Sequence, residues 1–222
     1  MYEKKFLDSS ELLNMKFSVE NIKGLYLDII KEIGNIGAGN AATSLSELIN
    51  RKIEMEVPSV EILDTEQIVK ILGGEDLVVC GVYLNFHGDI NGTILLILDI
   101  TSSNNLLSIL FQRPVENFEY NDLEISALQE IGNILSSSYI NSVSSLSNLK
   151  INISVPSVSI DMAGSILSVP AIEYGTISDK IILIENKLSE GGSEITAKFF
   201  LMPDIDSFKI LFKSLGVLTD EE

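Results

Sequence analysis

An internal repeat limits the possible folds of this chain more than any other feature of its sequence. Residues 32–36 read EIGNI, and the same five letters recur 98 residues later at 130–134. The same offset relates VPSV at 57–60 to VPSV at 155–158. Because the offset is constant, the chain consists of two related halves, and we predict that a pseudo-twofold axis relates them.

The composition describes a globular, strongly acidic chain. Its 222 residues are 45% hydrophobic, which is enough to bury a core, and they carry a formal net charge of -17. Such a charge repels phosphate backbones and anionic lipids, so we expect no nucleic-acid partner and no membrane insertion. No apolar run reaches the roughly 18 residues of a membrane span, and residues 1–10 do not resemble a signal peptide. The single cysteine, Cys80, excludes a disulfide within the chain and favours a cytoplasmic location.

The order of the predicted elements is the same in both halves. Each half has a long helix, a strand with alternating apolar residues, an antiparallel strand pair and a short closing helix. In the first half these are about 19–50, 52–63, 77–86 with 90–100, and 102–111; in the second they are about 121–148, 150–160, 180–184 with 195–202, and 205–215. We therefore predict an α+β fold in which two pseudo-symmetric halves share a mainly antiparallel sheet, with the long helices packed against it.

The domain organisation follows from the same repeat. Residues 19–222 are predicted to form a single domain, with one half at about 19–112 and the other at about 121–218. Residues 113–121 form the hinge between the halves. Residues 1–18 lie outside the repeat and are predicted to be an N-terminal arm, either loose or a short helix.

A polar stripe runs along each predicted long helix. At about 100° per residue, three polar positions fall within about 60° of each other. They are Asp28, Glu32 and Asn35 in the first copy, and Ser126, Glu130 and Asn133 in the second. Apolar residues about a quarter turn away are predicted to form the packing face: Leu25, Ile29, Ile33 and Ile36, and their counterparts Leu123, Ala127, Ile131 and Ile134.

Two interpretations of the stripe are open. A Glu and an Asn on one helix commonly do no more than solvate an exposed face. Here the same two residue types occupy the same positions in both halves, whereas neighbours have diverged, as Lys31 and Gln129 show. This contrast favours a functional role for the pair.

Glycines inside the predicted helices also need a reason, because each costs about 1 kcal/mol relative to alanine. Gly34 and Gly132 are repeated, which indicates close approach of a sheet or of a partner's backbone. Gly37 and Gly39 occur only in the first copy. Their order does not fit a dinucleotide-binding fingerprint, so tight helix packing is the preferred interpretation.

These motifs resemble the CheC family of chemotaxis phosphatases, which is related to CheX and to the FliY switch proteins. The family pattern is Asp or Ser, three residues, Glu, two residues, Asn, twenty-two residues, Pro. Both copies fit it: Asp28, Glu32, Asn35 and Pro58, then Ser126, Glu130, Asn133 and Pro156. Two intact copies in one chain resemble CheC more than CheX.

The resemblance implies a phosphatase that hydrolyses the aspartyl phosphate of the response regulator CheY. It implies that Asn35 and Asn133 orient the attacking water and that Glu32 and Glu130 pair with the regulator's active-site lysine. The chain needs no cofactor of its own, because Mg²⁺ is expected on the regulator. Phosphoryl transfer depends mainly on positioning and charge stabilisation, which suits residues that are not nucleophiles.

The other motif residues have supporting roles in this interpretation. Asp28 and Ser126 support the helix or contact the partner at its rim, and Pro58 and Pro156 shape a strand beside the helix. The resemblance also implies CheD, a receptor-modifying deamidase, as a partner that docks near Asp161 and Met162. The alternative for that segment is an ordinary connecting turn.

Three other functions are alternatives for this sequence. A binding module without turnover, which grips phosphorylated CheY or CheD as an adaptor, uses the same Glu but does not need the Asn. A flagellar-switch component is expected to carry a further C-terminal module. A nucleophilic enzyme is disfavoured, because the only histidine, His87, falls in a predicted turn and Cys80 falls in an apolar run.

Overall fold

The two halves contain the same sequence of elements. The computed structural model describes residues 9–116, 119–174 and 181–216, with side chains described throughout except at 9–23, 65–66 and 170–174. The first half consists of α1 (Ser9–Ile49), β1 (Glu54–Glu56), β2 (Val60–Leu63), α2 (Thr65–Leu72), β3 (Val78–Gly88), β4 (Gly92–Asp99) and α3 (Ile100–Phe111). The second consists of α4 (Asp122–Ser147), β5 (Ile151–Ile153), β6 (Ser157–Met162), α5 (Ala163–Tyr174), β7 (Ile181–Glu190), β8 (Ser193–Pro203) and α6 (Ile205–Ser214). The predicted duplicated α+β fold is confirmed.

The halves exchange their first strands within one antiparallel sheet. The strand order is β1-β7-β8-β4-β3-β5, with β2 also paired to β7 and β6 also paired to β3. Thus β1 and β2 of the first half complete the hairpin of the second, for example where Val60 pairs with Ile184. In return β5 and β6 complete the hairpin of the first, where Val158 pairs with Val82. The two hairpins meet at the centre through β4 and β8.

Helices cover both faces of the sheet. The larger core lies between one face and helices α1, α3, α4 and α6, and it includes Leu45, Leu96 and Phe212. A smaller core lies on the other face, where Ile68 of α2 and Ile166 of α5 pack on Leu95 and Phe200. The long helices and the closing helices agree with the prediction, whereas α2 and α5 were not predicted. Strands such as β4 have buried residues on both faces, because successive side chains point to opposite faces of a sheet. The protein therefore has three layers, with the sheet between two layers of helices.

The two long helices pack on the sheet and on each other through glycines. A Cβ on Gly34 would lie 3.3 Å from Val57, and one on Gly132 would lie 2.5 Å from Val82, so the predicted close approach is to the sheet. A Cβ on Gly37 would meet the ring of Tyr139 on α4. Gly39 has nothing within 4 Å of its Cβ position and is exposed, so tight packing explains Gly37 but was wrong for Gly39.

The structure corrects several element boundaries. Helix α1 begins at Ser9, so residues 9–18 continue the helix and are not a separate arm, while residues 1–8 lie outside the described residues. Each predicted first strand is two short strands, separated at Pro58 and at Pro156. A proline has no backbone N–H to donate to a ladder, which explains the interruption.

The hairpin turns also differ from the predicted ones. His87 was expected in a turn, but it lies in β3 and pairs with Asn152. The second hairpin closes with only Gly191 and Gly192 between its strands, at φ values of 55° and 91°. Positive φ at both central residues is the geometry of a type I′ turn, which explains why two glycines stand there.

The start of α4 is fixed by a capping box and an ion pair. The Asn121 side chain accepts hydrogen bonds from the backbone N–H groups of Leu123 and Glu124, and the Glu124 carboxylate accepts one from the Asn121 backbone. Arg113 of the hinge donates to the same carboxylate at 2.7 Å. The Asn121 backbone N–H and the Arg113 guanidinium hold the pKa of Glu124 below its usual range. The hinge is therefore tied to the first turn of the helix that carries the second motif.

Candidate functional site

Both Glu-x-x-Asn pairs lie on the outer side of a long helix. Glu32 and Asn35 of α1 are exposed, Glu130 of α4 is exposed, and Asn133 is half-buried. Residues three apart on a helix are neighbours, so each Glu and its Asn can contact the same partner. The structure thus presents the two pairs in equivalent places on equivalent helices.

The four side chains are not used to hold the protein together. Within the described part of the chain, no hydrogen bond or ion pair engages the side chains of Glu32, Asn35, Glu130 or Asn133. Polar side chains that stabilise a fold are usually bonded to it. These are available to a second molecule.

The helical backbone beneath each pair is held firmly in place. Between Glu32 and Asn35, both Ile33 and Gly34 are buried, and Ile33 is part of the large core. Ile131 and Gly132 are buried in the same way in α4. Because the residues between Glu and Asn are fixed against the sheet, the directions in which the polar side chains leave the helix are fixed as well.

Pro156 lies beside the second pair. An open groove of about 410 Å³ separates α4 from the connection between β5 and β6. Ser126, Glu130 and Asn133 line its helix side, and Ser154, Val155 and Pro156 line its strand side. The Gln129 side chain donates to the Pro156 carbonyl at 3.3 Å and so connects the two walls.

The two sites differ in how the strand connection meets the helix. Val57 is 7% exposed and contacts the Cβ position of Gly34, whereas its counterpart Val155 is 87% exposed and lines the groove. Pro58 is exposed. From the sequence, Gln129 was noted only as a diverged neighbour of the pair and Val155 only as part of the repeated VPSV. Their places in the groove could not be predicted, because the approach of the β5–β6 connection to α4 depends on the fold.

The apolar packing face predicted next to each pair is only partly buried. Ile33 and Ile131 are buried as predicted, but Leu25 is 49% exposed and Leu123 is 64% exposed. Glu124, the counterpart of Tyr26 in the repeat, is buried by its capping role. Ile36, also predicted on the packing face, is 37% exposed, and Ile29, Ala127 and Ile134 are half-buried. The helical period therefore predicted the buried Ile33 and Ile131 correctly, but the predicted packing face was wrong at Leu25, Leu123 and Ile36.

Asp28 and Ser126 lie on the exposed side of their helices. The Ser126 hydroxyl donates back to the Asp122 carbonyl at 2.8 Å, a bond within α4. Both residues thus lie on the same exposed side of the helix as the Glu one turn further along.

Asp161 and Met162 occupy a different part of the surface. Both are exposed at the end of β6, and α5 begins at the next residue, so the segment is not a simple turn. Because β2 leads into α2 in the same way, the segment does not break the symmetry of elements. Asp161 lines a cavity of about 260 Å³ together with Tyr83, Ser165 and Val169. The cavity lies on the α5 side of the sheet, away from the groove beside α4.

The cysteine lies in the core, as predicted. Cys80 is buried in β3, and burial raises the pKa of its thiol to about 11, with a smaller opposing effect of a hydrogen bond with Ser103. A thiol that remains protonated at neutral pH is a poor nucleophile. Across residues 9–116, 119–174 and 181–216, no helix combines the length and apolar character of a membrane span.

Comparison with known proteins places both pairs in matched segments. The model of the CheC-like family matches residues 25–62 and 123–160, each of which contains one Glu-x-x-Asn pair and one motif proline. The CheY-P phosphatase CheC of Bacillus subtilis is 35% identical over 200 residues, covering 88% of this chain and 96% of that protein. The putative CheY-P phosphatase CheC1 of Halobacterium salinarum is 24% identical over 190 residues, covering 85% and 95%. The crystal structure of Thermotoga maritima FliY matches with a TM-score of 0.68 and 25% identity, covering 86% of this chain and 95% of that one.

Proposed function

Because this chain belongs to the CheC-like family, we propose that it is a phosphatase that hydrolyses the aspartyl phosphate of phosphorylated CheY. The observation that carries the proposal is the presence of two Glu-x-x-Asn pairs on the outer side of equivalent, firmly packed helices, with three of the four side chains exposed and Asn133 half-buried. Among the described residues, none of these side chains is hydrogen-bonded or ion-paired. The name of the Bacillus subtilis relative supports the same activity.

In the proposed mechanism, Asn35 and Asn133 act on water. Each amide enters the regulator's active site and orients a water molecule in line with the phosphoryl group, as a glutamine does in small GTPases. The aspartyl–phosphate bond breaks, the water oxygen bonds to phosphorus, and inorganic phosphate leaves. The regulator supplies the Mg²⁺ that neutralises charge on the phosphoryl oxygens, so the chain contributes orientation and needs no nucleophile.

Glu32 and Glu130 dock the regulator. A carboxylate at this position pairs with the regulator's active-site lysine and aligns the Asn one turn along the helix. The preorganised backbone at Gly34 and Gly132 supports this role, because an amide misplaced by about 1 Å loses much of its effect. The cytoplasmic location expected from the single cysteine is part of the same proposal.

The decay of phosphorylated CheY tests the activity. With Mg²⁺ present and the protein substoichiometric, we expect accelerated loss of phosphate over many turnovers. The matched control is the double variant Asn35→Ala, Asn133→Ala, which should leave decay at the spontaneous rate. If the wild-type protein binds phosphorylated CheY and decay is unchanged, the protein is an adaptor and the phosphatase proposal fails.

CheD is the second partner in this proposal. Asp161 is exposed and lines a separate cavity, and its neighbour Met162 is also exposed, which supports a docking site distinct from the Glu-x-x-Asn pairs. Titration with purified CheD should show binding that is weakened by Asp161→Ala with Met162→Ala and unaffected by the Asn double variant. Absence of binding to the wild-type protein would remove CheD from the proposal.

A further inference from the structure

Two exposed leucines occupy equivalent positions on the two long helices. Leu25 of α1 is 49% exposed and Leu123 of α4 is 64% exposed. An exposed leucine by itself is ordinary on a protein surface. The repeat pairs each position of α4 with a position of α1. The exposure and residue type of the two leucines can therefore be compared with those of the neighbouring pairs.

Few positions near the motif are exposed in both helices. Between residues 24 and 40 and their counterparts at 122–138, four pairs are exposed in both copies. Two of these pairs differ in residue type: Gly24 with Asp122, and Asp28 with Ser126. The other two are identical: Glu32 with Glu130, and Leu25 with Leu123. Packing explains identity at the buried Ile33 and Ile131, but it does not explain identity at an exposed leucine.

The leucine lies in line with the glutamate. Seven residues are nearly two helical turns, so Leu25 is about 10 Å from Glu32 along the axis and within about 20° of it around the helix. A standard protein interface covers about 800 Å² on each partner, equivalent to a disc of ~16 Å radius. An interface of this size centred on Glu32 includes Leu25, and one centred on Glu130 includes Leu123.

We propose that Leu25 and Leu123 are apolar docking contacts for the response regulator, one at each site. The inference rests on the proposed function and adds the residues that contribute binding without taking part in the chemistry. An apolar contact beside a charged pair is the arrangement expected of an interface with a buried anchor and a polar remainder. The partner that fits these contacts is thus a protein with an apolar surface next to a phosphorylation site that contains a lysine.

Single-site variants allow each leucine to be tested alone. Asn133→Ala leaves the α1 site, and in that background Leu25→Ser should raise KM for phosphorylated CheY about tenfold, with kcat retained. Leu25→Met should restore KM, because it keeps the apolar contact. In the Asn35→Ala background, which leaves the α4 site, Leu123→Ser should have the same effect and Leu25→Ser should have none.

Leu48 provides the matched control. It is an exposed leucine of the same helix, but it lies about 24 Å from Glu32 and roughly 160° around the helix. Leu48→Ser should leave KM unchanged. An unchanged KM in the Leu25→Ser and Leu123→Ser variants, or an equal rise from Leu48→Ser, would overturn the inference.

Direct binding of beryllofluoride-activated CheY separates this inference from the proposed function. Binding that is weakened about tenfold by the leucine variants, without turnover by the wild-type protein, would support the docking contacts and refute the phosphatase. Turnover with binding that is insensitive to both leucines would refute only the contacts. No binding by the wild-type protein would refute both.

Discussion

A Cβ atom on Gly37 would lie 2.6 Å from Cδ1 of Tyr139, so one glycine in the first half and one tyrosine in the second set the spacing of the two long helices. Gly37→Ala should lower the free energy of unfolding by about 1–3 kcal/mol, because the ring has to move in a close-packed core. Gly39→Ala should instead raise it by ~1 kcal/mol, because this exposed glycine has nothing within 4 Å and alanine favours the helix. Urea denaturation of the two variants measures both. A rise in both would mean that Tyr139 does not limit the helix spacing.

A buried hydrogen bond joins the same tyrosine to the sheet. The Tyr139 hydroxyl donates to the side-chain oxygen of Asn186, whose amide donates to the Ile184 carbonyl at 3.0 Å. Tyr139→Phe leaves that oxygen buried without a donor, so we expect a loss of about 1–3 kcal/mol in unfolding free energy. Tyr120→Phe is the control, because its hydroxyl bonds Asn104 at a half-buried position and its loss should cost less. Equal losses of unfolding free energy in the two variants would show that burial does not strengthen the contribution of the Tyr139 hydrogen bond.

Glu124 makes stability depend on pH. Its pKa is lowered in the folded protein by the Asn121 backbone and by Arg113, so the folded state resists protonation of this carboxylate. The resulting stabilisation is fully present above the pKa of a glutamate in the unfolded chain, about 4.3, and is lost as the pH falls through the lower folded pKa. The melting temperature should fall less between pH 7 and pH 3 in Glu124→Gln than in the wild-type protein. Parallel declines would mean that other carboxylates account for the acid sensitivity.

The two motif residues should affect different kinetic constants. Glu32→Gln with Glu130→Gln should raise KM for phosphorylated CheY, because an exposed carboxylate that pairs with lysine contributes to docking. Asn35→Ala with Asn133→Ala should abolish turnover while binding persists. Neither double variant should change unfolding free energy by more than roughly 0.5 kcal/mol per site, because none of the four side chains is bonded to another residue that the structure describes. A variant that fails to fold would show that these are core residues.

The sequence predicted the duplication, the long helices and the polar stripes, because each depends on residue identity or on a local period. It did not predict that β1 and β2 pair with β7, because an alternating apolar pattern indicates a strand but does not specify which strand it pairs with. Helices α2 and α5 were missed because short apolar segments fit several structures equally well. The exposure of Leu25 and Leu123 was missed for a related reason: a helical period shows which residues share a face but not what covers that face.

The exchanged strands also determine when the protein can fold. Met55 of β1 pairs with Leu188 of β7, so the first half leaves the ribosome before its sheet partner has been made. Pairings between distant residues slow folding, and until they form, each hairpin has an unpaired edge that can associate with another chain. An ancestral protein that consisted of one half could have completed its sheet only by exchanging strands with a second copy of itself. Joining two copies in one gene would make the stability of the fold independent of protein concentration.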